Sequence, residues 1–324
     1  MRLKNLRLLP KVRDSWSYMY VDRCRIEKEE HAVALFDERG WVPIPCASLG
    51  LLMLGPGTSI THAAVMALAD NGCLVAWVGE AGVRFYAVGQ GEARSAARLQ
   101  RQAALWANPV TRLETVVRMY RLRLPEGSLP TGLSLRQLRG LEGARVREAY
   151  RRASEETGVP WHGRQYRPGD PVATDPINRA ISTANACLYG ICHTAIVSAG
   201  YSPGLGFIHT GNLLSFVFDI ADLYKMDIAV PIAFRVVAAG EHALEARVRA
   251  ACRDAFYRSK LLERIIPDIG RVLQDEVQEV RQLTLEGEEG RVHVPVWLWD
   301  PSGDQAGGQN YAVGSSAEPE EEHS

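Results

Sequence analysis

No two of the six cysteines stand at the C-x-x-C spacing that marks a thiolate metal site or a redox pair. They fall at 24, 46, 73, 187, 192 and 252, inside otherwise apolar segments where an unpaired thiol behaves as a small hydrophobe. That usage is expected of a reduced, cytoplasmic protein whose cysteines are structural. No uninterrupted apolar run approaches the ~20 residues a membrane helix needs. Met1 to Lys11 carries Arg2, Lys4, Arg7 and Lys11 without the apolar core of a signal peptide. A soluble chain without leader or membrane partner is therefore expected. Gly55-x-Gly57 is followed by neither a third glycine nor a Gly-Lys-Ser/Thr, so it marks no dinucleotide or P-loop phosphate site. No internal repeat is evident.

What is present is an uneven charge. The formal net charge is -1, with 37 cations against 38 anions. From Thr284 onward there is one cation, Arg291, against nine anions (Glu286, Glu288, Glu289, Asp300, Asp304, Glu318, Glu320, Glu321 and Glu322). Removing that segment leaves 36 cations and 29 anions, a body of +7. Between Arg94 and Arg152 stand thirteen arginines and no lysine, opposed only by Glu114, Glu126, Glu142 and Glu148. A basic body with an acidic tail is the charge layout of a polyanion binder, and a solvated helical surface is the plain alternative.

The chain, at 324 residues with 46% hydrophobic content, is long enough to bury a sizeable core in two domains. From Trp16 to about Val88 the pattern is strand-like, with runs SYMYVDRCRIE, HAVALF, WVPIP, LGLLML, CLVAWVG and VRFYAVG separated by turn residues. One helix interrupts it, ITHAAVMALADNG, with Thr58 or Ser59 as the expected cap and Asn-Gly as the stop. After Gly89 helical periodicity runs to about Leu283, beginning with Arg94, Arg98 and Arg101 at i, i+4, i+7. Ser134-x-x-Gln137 is a capping box opening a helix through Glu155, and Thr174-Asp175-Pro176 caps an apolar helix stopping at Gly200. Beyond Thr284 the periodicity fails except in VHVPVWLWD. The expected class is α+β: an N-terminal β-rich domain (1–88), a larger all-helical catalytic domain (89–283) and a flexible acidic C-terminal tail (284–324).

The stretch GFIHTGNLLSFVFDIADLYK, 206–225, carries the chemistry. Read as a helix from about Asn212 it is apolar nearly all round and so predicts burial. Its one polar stripe is Asn212, Ser215, Asp219 and Asp222 at i, i+3, i+7, i+10, with His209 just before the helix. Two carboxylates on an apolar helix demand a counter-charge, because burial of each unpaired costs several kcal/mol. Imidazole plus carboxylates without a nearby thiolate suits Mg²⁺ or Mn²⁺, while an Asp222–Lys225 surface pair with a solvated Asp219 would need no metal. Glu142 is the best third carboxylate. It lies in QLRGLEGARVR between Gly140 and Gly143, each costing a helix about 1 kcal/mol relative to Ala, which implies close approach of a backbone or a nucleic acid strand. A solvated pair of Glu142 with Arg139 or Arg145 is the competing reading.

Through PGTSITHAAV, LVAWVGEAGVRFYA, QLRGLEGARVR, NACLYG, GFIHTG, LSFVFDIADLYK and ACRDAF, over roughly residues 10–283, the sequence resembles the CRISPR-associated integrase family called Cas-one, specifically its I-E subtype. The resemblance implies a homodimer, two of which flank a dimeric partner, Cas-two, in a heterohexamer that inserts captured double-stranded DNA into the CRISPR repeat array. It implies Glu142, His209 and Asp222 as direct metal ligands with Asp219 beside them. It also implies DNA contact or pocket roles for Arg84, Lys225, Tyr166 and Tyr189. Ser59 and Phe218 depart from the residues expected there, an Arg and a Tyr, which puts individual DNA contacts in doubt. The implied reaction is attack of a DNA 3'-hydroxyl on a repeat phosphodiester, with Asp219 expected to orient or deprotonate the nucleophile. Water in place of the hydroxyl gives endonuclease activity. Two other classes stay open: a non-catalytic DNA-binding scaffold, and a metallohydrolase of small substrates.

Overall fold

The computed structural model describes residues 18–29, 32–38, 40–44, 46, 49–82, 84–89, 96–124, 133–164 and 175–274, and four two-residue strands between 285 and 306. Met1–Gln278 and Glu279–Ser324 are separate units.

The first unit opens with strands. β1 (Tyr18–Val21), β5 (Leu51–Leu54), β7 (Leu74–Val78) and β8 (Phe85–Gly89) form one mixed sheet in the order β1-β5-β7-β8, parallel except for β8. β4 (Gly40–Ile44), β3 (Ala32–Asp37), β2 (Arg25–Glu29) and β6 (Ser59–Ile60) form the other in the order β4-β3-β2-β6. The run SYMYVDRCRIE thus supplies strands to two sheets, broken at Arg23, whose φ of +47° no strand allows. The helix between the sheets' strands, α1 (His62–Asp70), is capped by Thr61, whose side chain accepts from Ala64 N. The expected caps, Thr58 and Ser59, lie too early because Ser59 is paired in β6.

Alternation along β5 explains how the sheets reach the helices. Leu52 and Leu54 join Ile26, Val33, Leu68 and Val75 in a core between the two sheets. Leu51 and Met53 point the other way and pack, with Leu74, Ala76 and Val78, into the helical core. The change of pattern near residue 88 is therefore a change of secondary structure, and packing is continuous across it.

The helices are α2 (Ala97–Ala107), α3 (Pro109–Arg123), α4 (Leu135–Thr157), α5 (Pro176–Ser198), α6 (Ser215–Ala221), α7 (Val230–Ala238), α8 (Leu244–Arg258) and α9 (Leu261–Leu273). The Ser134/Gln137 capping box opens α4, and Gly158, at φ +70°, closes it. Asp175 and Pro176 open α5 as expected. At 23 residues α5 is long and apolar enough to cross a membrane by length and composition, yet 67% of its apolar window is buried inside the protein as the core helix. The helix expected from Asn212 starts at Ser215 because the Asn212 side chain accepts from Leu214 N in a turn. It ends at Asp222, and a π-helical turn, Lys225–Ala229, joins it to α7.

In the second unit Val292–His293 pairs with Leu285–Glu286, and Trp297–Leu298 with Gln305–Ala306, both antiparallel. The run VHVPVWLWD is thus divided between two short pairs, and the rest of the acidic tail lies outside the described residues. Replacing the fully buried Leu52 by Ala should destabilise the full chain by about 2–5 kcal/mol, whereas the exposed Trp41→Ala should change stability by less than about 0.5 kcal/mol. Denaturant titration followed by circular dichroism checks both.

Candidate active site

The geometry is set by a loop between α5 and α6. Asp219, on α6, is 0% exposed. Its carboxylate accepts from the amides of Phe207 (2.6 Å), Ile208 (3.1 Å) and His209 (3.0 Å), and pairs with His209 Nδ1 at 2.7 Å. Four partners for one buried carboxylate satisfy it inside the fold. With Nδ1 held, the imidazole presents its other nitrogen, the arrangement by which a carboxylate orients a metal-binding histidine. Asp219, expected to orient or deprotonate a nucleophile, is instead buried with both oxygens engaged by the loop and the ring.

The same loop is held from below by the arginine-rich helices. Gln102 is fully buried, accepts from Ser202 N and donates to Ser202 O and Leu205 O. Trp106 Nε1 donates to Gly206 O at 2.9 Å, and Arg112 donates to the carbonyls of Gly206 and Phe207. Gly206 has no room for a side chain: a Cβ there would overlap His209 O and stand 2.6 Å from Ser215 Cβ.

Asp222 projects elsewhere from the same polar stripe. Its carboxylate accepts from Lys225 Nζ at 2.6 Å, and its other oxygen lies 3.6 Å from Arg123 Nη1. The same Nη1 is 3.7 Å from Glu142 Oε1 on α4, so carboxylates distant in the chain meet across one guanidinium nitrogen. Glu142 also accepts from Arg145 at 3.1 and 3.3 Å. Both expected ion pairs, Asp222–Lys225 and Glu142–Arg145, therefore exist, but neither is a solvated surface pair: their side chains are only 15–20% exposed. Lys225 Nζ sits 5.4 Å from the centroid of the Tyr189 ring on α5, and Phe218 lies edge-on to both Tyr189 and His209.

Electrostatics tie these groups together. The hydrogen bond that His209 donates to Asp219 raises the His209 pKa above the ordinary imidazole value against opposing burial, and Asp222 adds to the rise. Burial would lower the Lys225 pKa, but the Asp222 and Tyr189 interactions outweigh it and leave the ammonium favoured. His209, Asp222 and Lys225 thus share one electrostatic neighbourhood.

The donor chemistry of Glu142, Asp222 and His209 fits a hard divalent cation, with a ring nitrogen tied at its far side to a carboxylate. Among the described residues, however, no three His, Cys, Asp or Glu side chains form a ready ligand group. Arg123 and Lys225 stand on the carboxylates instead.

Other expectations divide. Arg84 is exposed just before β8 and enters none of these contacts. Tyr166 lies outside the described residues. Ser59 is exposed on β6. Among the described residues Gly140 and Gly143 meet no backbone of another element: nothing stands within 4 Å of a Cβ at Gly140, and only Arg147 Nη1, at 3.5 Å, at Gly143. Of the thirteen clustered arginines, Arg98, Arg112 and Arg118 donate to backbone carbonyls of other elements, and Arg123, Arg145, Arg151 and Arg152 pair with carboxylates. Arg101, Arg121, Arg136, Arg139 and Arg147 are exposed. Sequence pattern missed Gln102, Trp106, Arg112 and Arg123. For Arg123 a signal existed, since Val116, Met119, Tyr120 and Arg123 recur at i, i+3, i+4, i+7 and are all buried.

Comparison with known proteins gives the family of the chain. The family described as "CRISPR associated protein Cas1" matches residues 119–250. "CRISPR-associated endonuclease Cas1 2" of Thermus thermophilus is 53% identical over 323 residues, covering 98% of this chain and 97% of the relative. "CRISPR-associated endonuclease Cas1" of Escherichia coli is 44% identical over 263 residues, covering 81% and 86%. Among solved structures, "Crystal structure of TtCas1-DNA complex" superposes with a TM-score of 0.76 at 57% identity, covering 82% of this chain and 99% of that one. "Casposase bound to integration product" superposes with a TM-score of 0.53 at 11% identity, covering 80% and 96%, and so shares the fold.

Because His209 is raised above about 6.5, stabilisation from its pair with Asp219 is fully present below that pH and is lost as pH rises through the raised folded value. An NMR titration of the His209 ring should place its midpoint above the ordinary value, and Asp219→Asn should bring it down. Gly206→Ala should destabilise by about 1–3 kcal/mol through overpacking, measured by denaturant melt.

Proposed function

The chain belongs to the Cas1 family of CRISPR-associated endonucleases, and from that premise we propose that it is a divalent-metal-dependent DNA integrase of CRISPR adaptation, of the I-E subtype. The observation that carries this reading is the meeting of Glu142 and Asp222 at one buried guanidinium, beside a histidine whose orientation a buried aspartate fixes. Nothing in an ordinary core needs that assembly, since apolar packing would be at least as stable.

Glu142, Asp222 and His209 would hold Mg²⁺ or Mn²⁺. When bound, such a cation supplies Lewis acidity to a phosphoryl oxygen. Asp219 keeps the His209 ring in one tautomer and one orientation. Lys225 balances the charge of Asp222 and, with Tyr189 and Arg84, contacts the DNA; Tyr166 joins them. The 3'-hydroxyl of a captured duplex attacks a repeat phosphodiester, a new P–O bond forms, and the bond to the repeat's own 3'-oxygen breaks. Water in place of that hydroxyl gives cleavage. The exposed arginines, Arg136, Arg139 and Arg147 on α4 among them, bind phosphates without reading sequence, so affinity falls steeply with salt. Gly140 and Gly143 leave room on that helix for a DNA backbone. The protein works as a homodimer, with two dimers flanking a Cas-two dimer in the cytoplasm.

One observation favours a second reading, a DNA-binding scaffold without catalysis: Arg123, Arg145 and Lys225 already neutralise the carboxylates. Strand transfer of a labelled duplex into a repeat-bearing plasmid separates the two. Product should require Mg²⁺ or Mn²⁺ and vanish with chelator. Asp219→Asn should lower it by about 10–100-fold, and His209→Ala by more. Unchanged product with His209→Ala would leave the scaffold reading. Gly140→Ala should stabilise α4 by about 0.5–1 kcal/mol while weakening duplex binding several-fold, read by melting and by fluorescence anisotropy.

A further inference from the structure

Arg123, at the C-terminal end of α3, is the most deeply buried charge at the carboxylates, with its side chain 3% exposed. Its Nη2 donates to the backbone oxygen of Asp219 at 3.1 Å. Nη1 stands 3.7 Å from Glu142 and 3.6 Å from Asp222, beyond hydrogen-bond length for both, and Nε is buried without a partner among the described residues. A guanidinium built as a structural clamp forms paired bonds of about 2.7–2.9 Å and uses its donors. This one lies between two acceptors and satisfies neither closely. Each carboxylate also has a nearer cation of its own, Arg145 for Glu142 and Lys225 for Asp222. Arg123 is thus surplus as a partner for either alone and is explained by the space between them.

We infer that Arg123 is a resident counter-charge between Glu142 and Asp222 that holds down the affinity of this pair for a divalent cation. The inference rests on the reading of Glu142, Asp222 and His209 as metal ligands. Its physical basis is Coulombic. A cation held by both carboxylates must lie near the guanidinium that already stands between them, and at about 4 Å in a site of effective dielectric about 20 the repulsion outweighs a factor of ten in a binding constant. Arg123 is a positioning residue, acting on the ligands and not on DNA. Its removal leaves Glu142 and Asp222 paired to Arg145 and Lys225, so the fold has reason to survive.

The test is Mn²⁺ binding to the full chain without DNA, read as free Mn²⁺ by electron paramagnetic resonance. Arg123→Gln should bind Mn²⁺ at least about tenfold more tightly than the wild type, while Arg123→Lys, which keeps the charge, should stay near the wild-type Kd. The unfolding midpoint should rise more steeply with Mn²⁺ in Arg123→Gln than in the wild type. Should Arg123→Gln fail to fold, Arg123→Met, which removes the charge that stands over the Tyr120 ring but keeps an unbranched side chain of similar length, carries the same expectation. Equal or weaker Mn²⁺ binding in the neutral variant, with wild-type binding abolished by His209→Ala and by Asp222→Asn, overturns the inference alone and makes Arg123 a clamp. Wild-type binding that survives both of those substitutions overturns the inference together with the ligand reading beneath it.

Discussion

The buried carboxylate of Asp219 is the constraint on which the site depends. A charge with no exposure must find its solvation inside the protein, and here three successive amides of the 207–209 loop and the His209 ring supply it. Because those donors are consecutive, the carboxylate fixes the path of the loop as well as the angle of the ring. Gly206 follows from the same requirement: the loop must turn against α6 at a distance that excludes even a methyl group. Gln102, Trp106 and Arg112 then hold the loop's outward carbonyls, so its shape is over-determined from both sides.

This gives the arginines of α2 and α3 a meaning that charge counting does not. A guanidinium reaches across several ångströms and donates to carbonyls that no neighbouring amide can meet, as Arg98, Arg112 and Arg118 do. Five of the thirteen clustered arginines, Arg98, Arg112, Arg118, Arg123 and Arg145, are therefore internal framework. The exposed positive surface is drawn from the remainder, with Arg136, Arg139 and Arg147 along α4 beside two glycines that leave open space. Exposed positive charge and integrity of the site thus come from the same residue type placed on different faces of these helices.

Continuity of packing carries this framework into the strands. The β1-β5-β7-β8 sheet is covered on both faces, by the second sheet on one side and by helices on the other, which is why LGLLML and CLVAWVG are nearly continuous apolar runs instead of alternating ones. The Phe85 ring of β8 lies 4.0 Å from His193 of α5, whose pKa burial lowers to about 4, so that imidazole is a neutral packing group and not a second acid–base centre.

Sequence by itself determined the elements and the cast of residues. Period-two and period-3.6 patterns located the strands and long helices, the Ser134–Gln137 and Asp175–Pro176 signals set helix starts, and the family motifs singled out Glu142, His209, Asp219 and Asp222. These are local properties, fixed by spacing along the chain. Tertiary structure alone decided what each residue faces. Asp219 and Asp222 share one stripe, yet the first turns inward to a loop and the second meets Arg123 and Lys225, because α6 ends at Asp222. The division of the arginines between framework and surface, the two sheets drawn from one apolar run at Arg23, and the guanidinium between two distant carboxylates all depend on contacts between segments far apart in the chain. No spacing rule along the chain encodes such contacts, since they are set by which buried groups must satisfy one another once the core has closed.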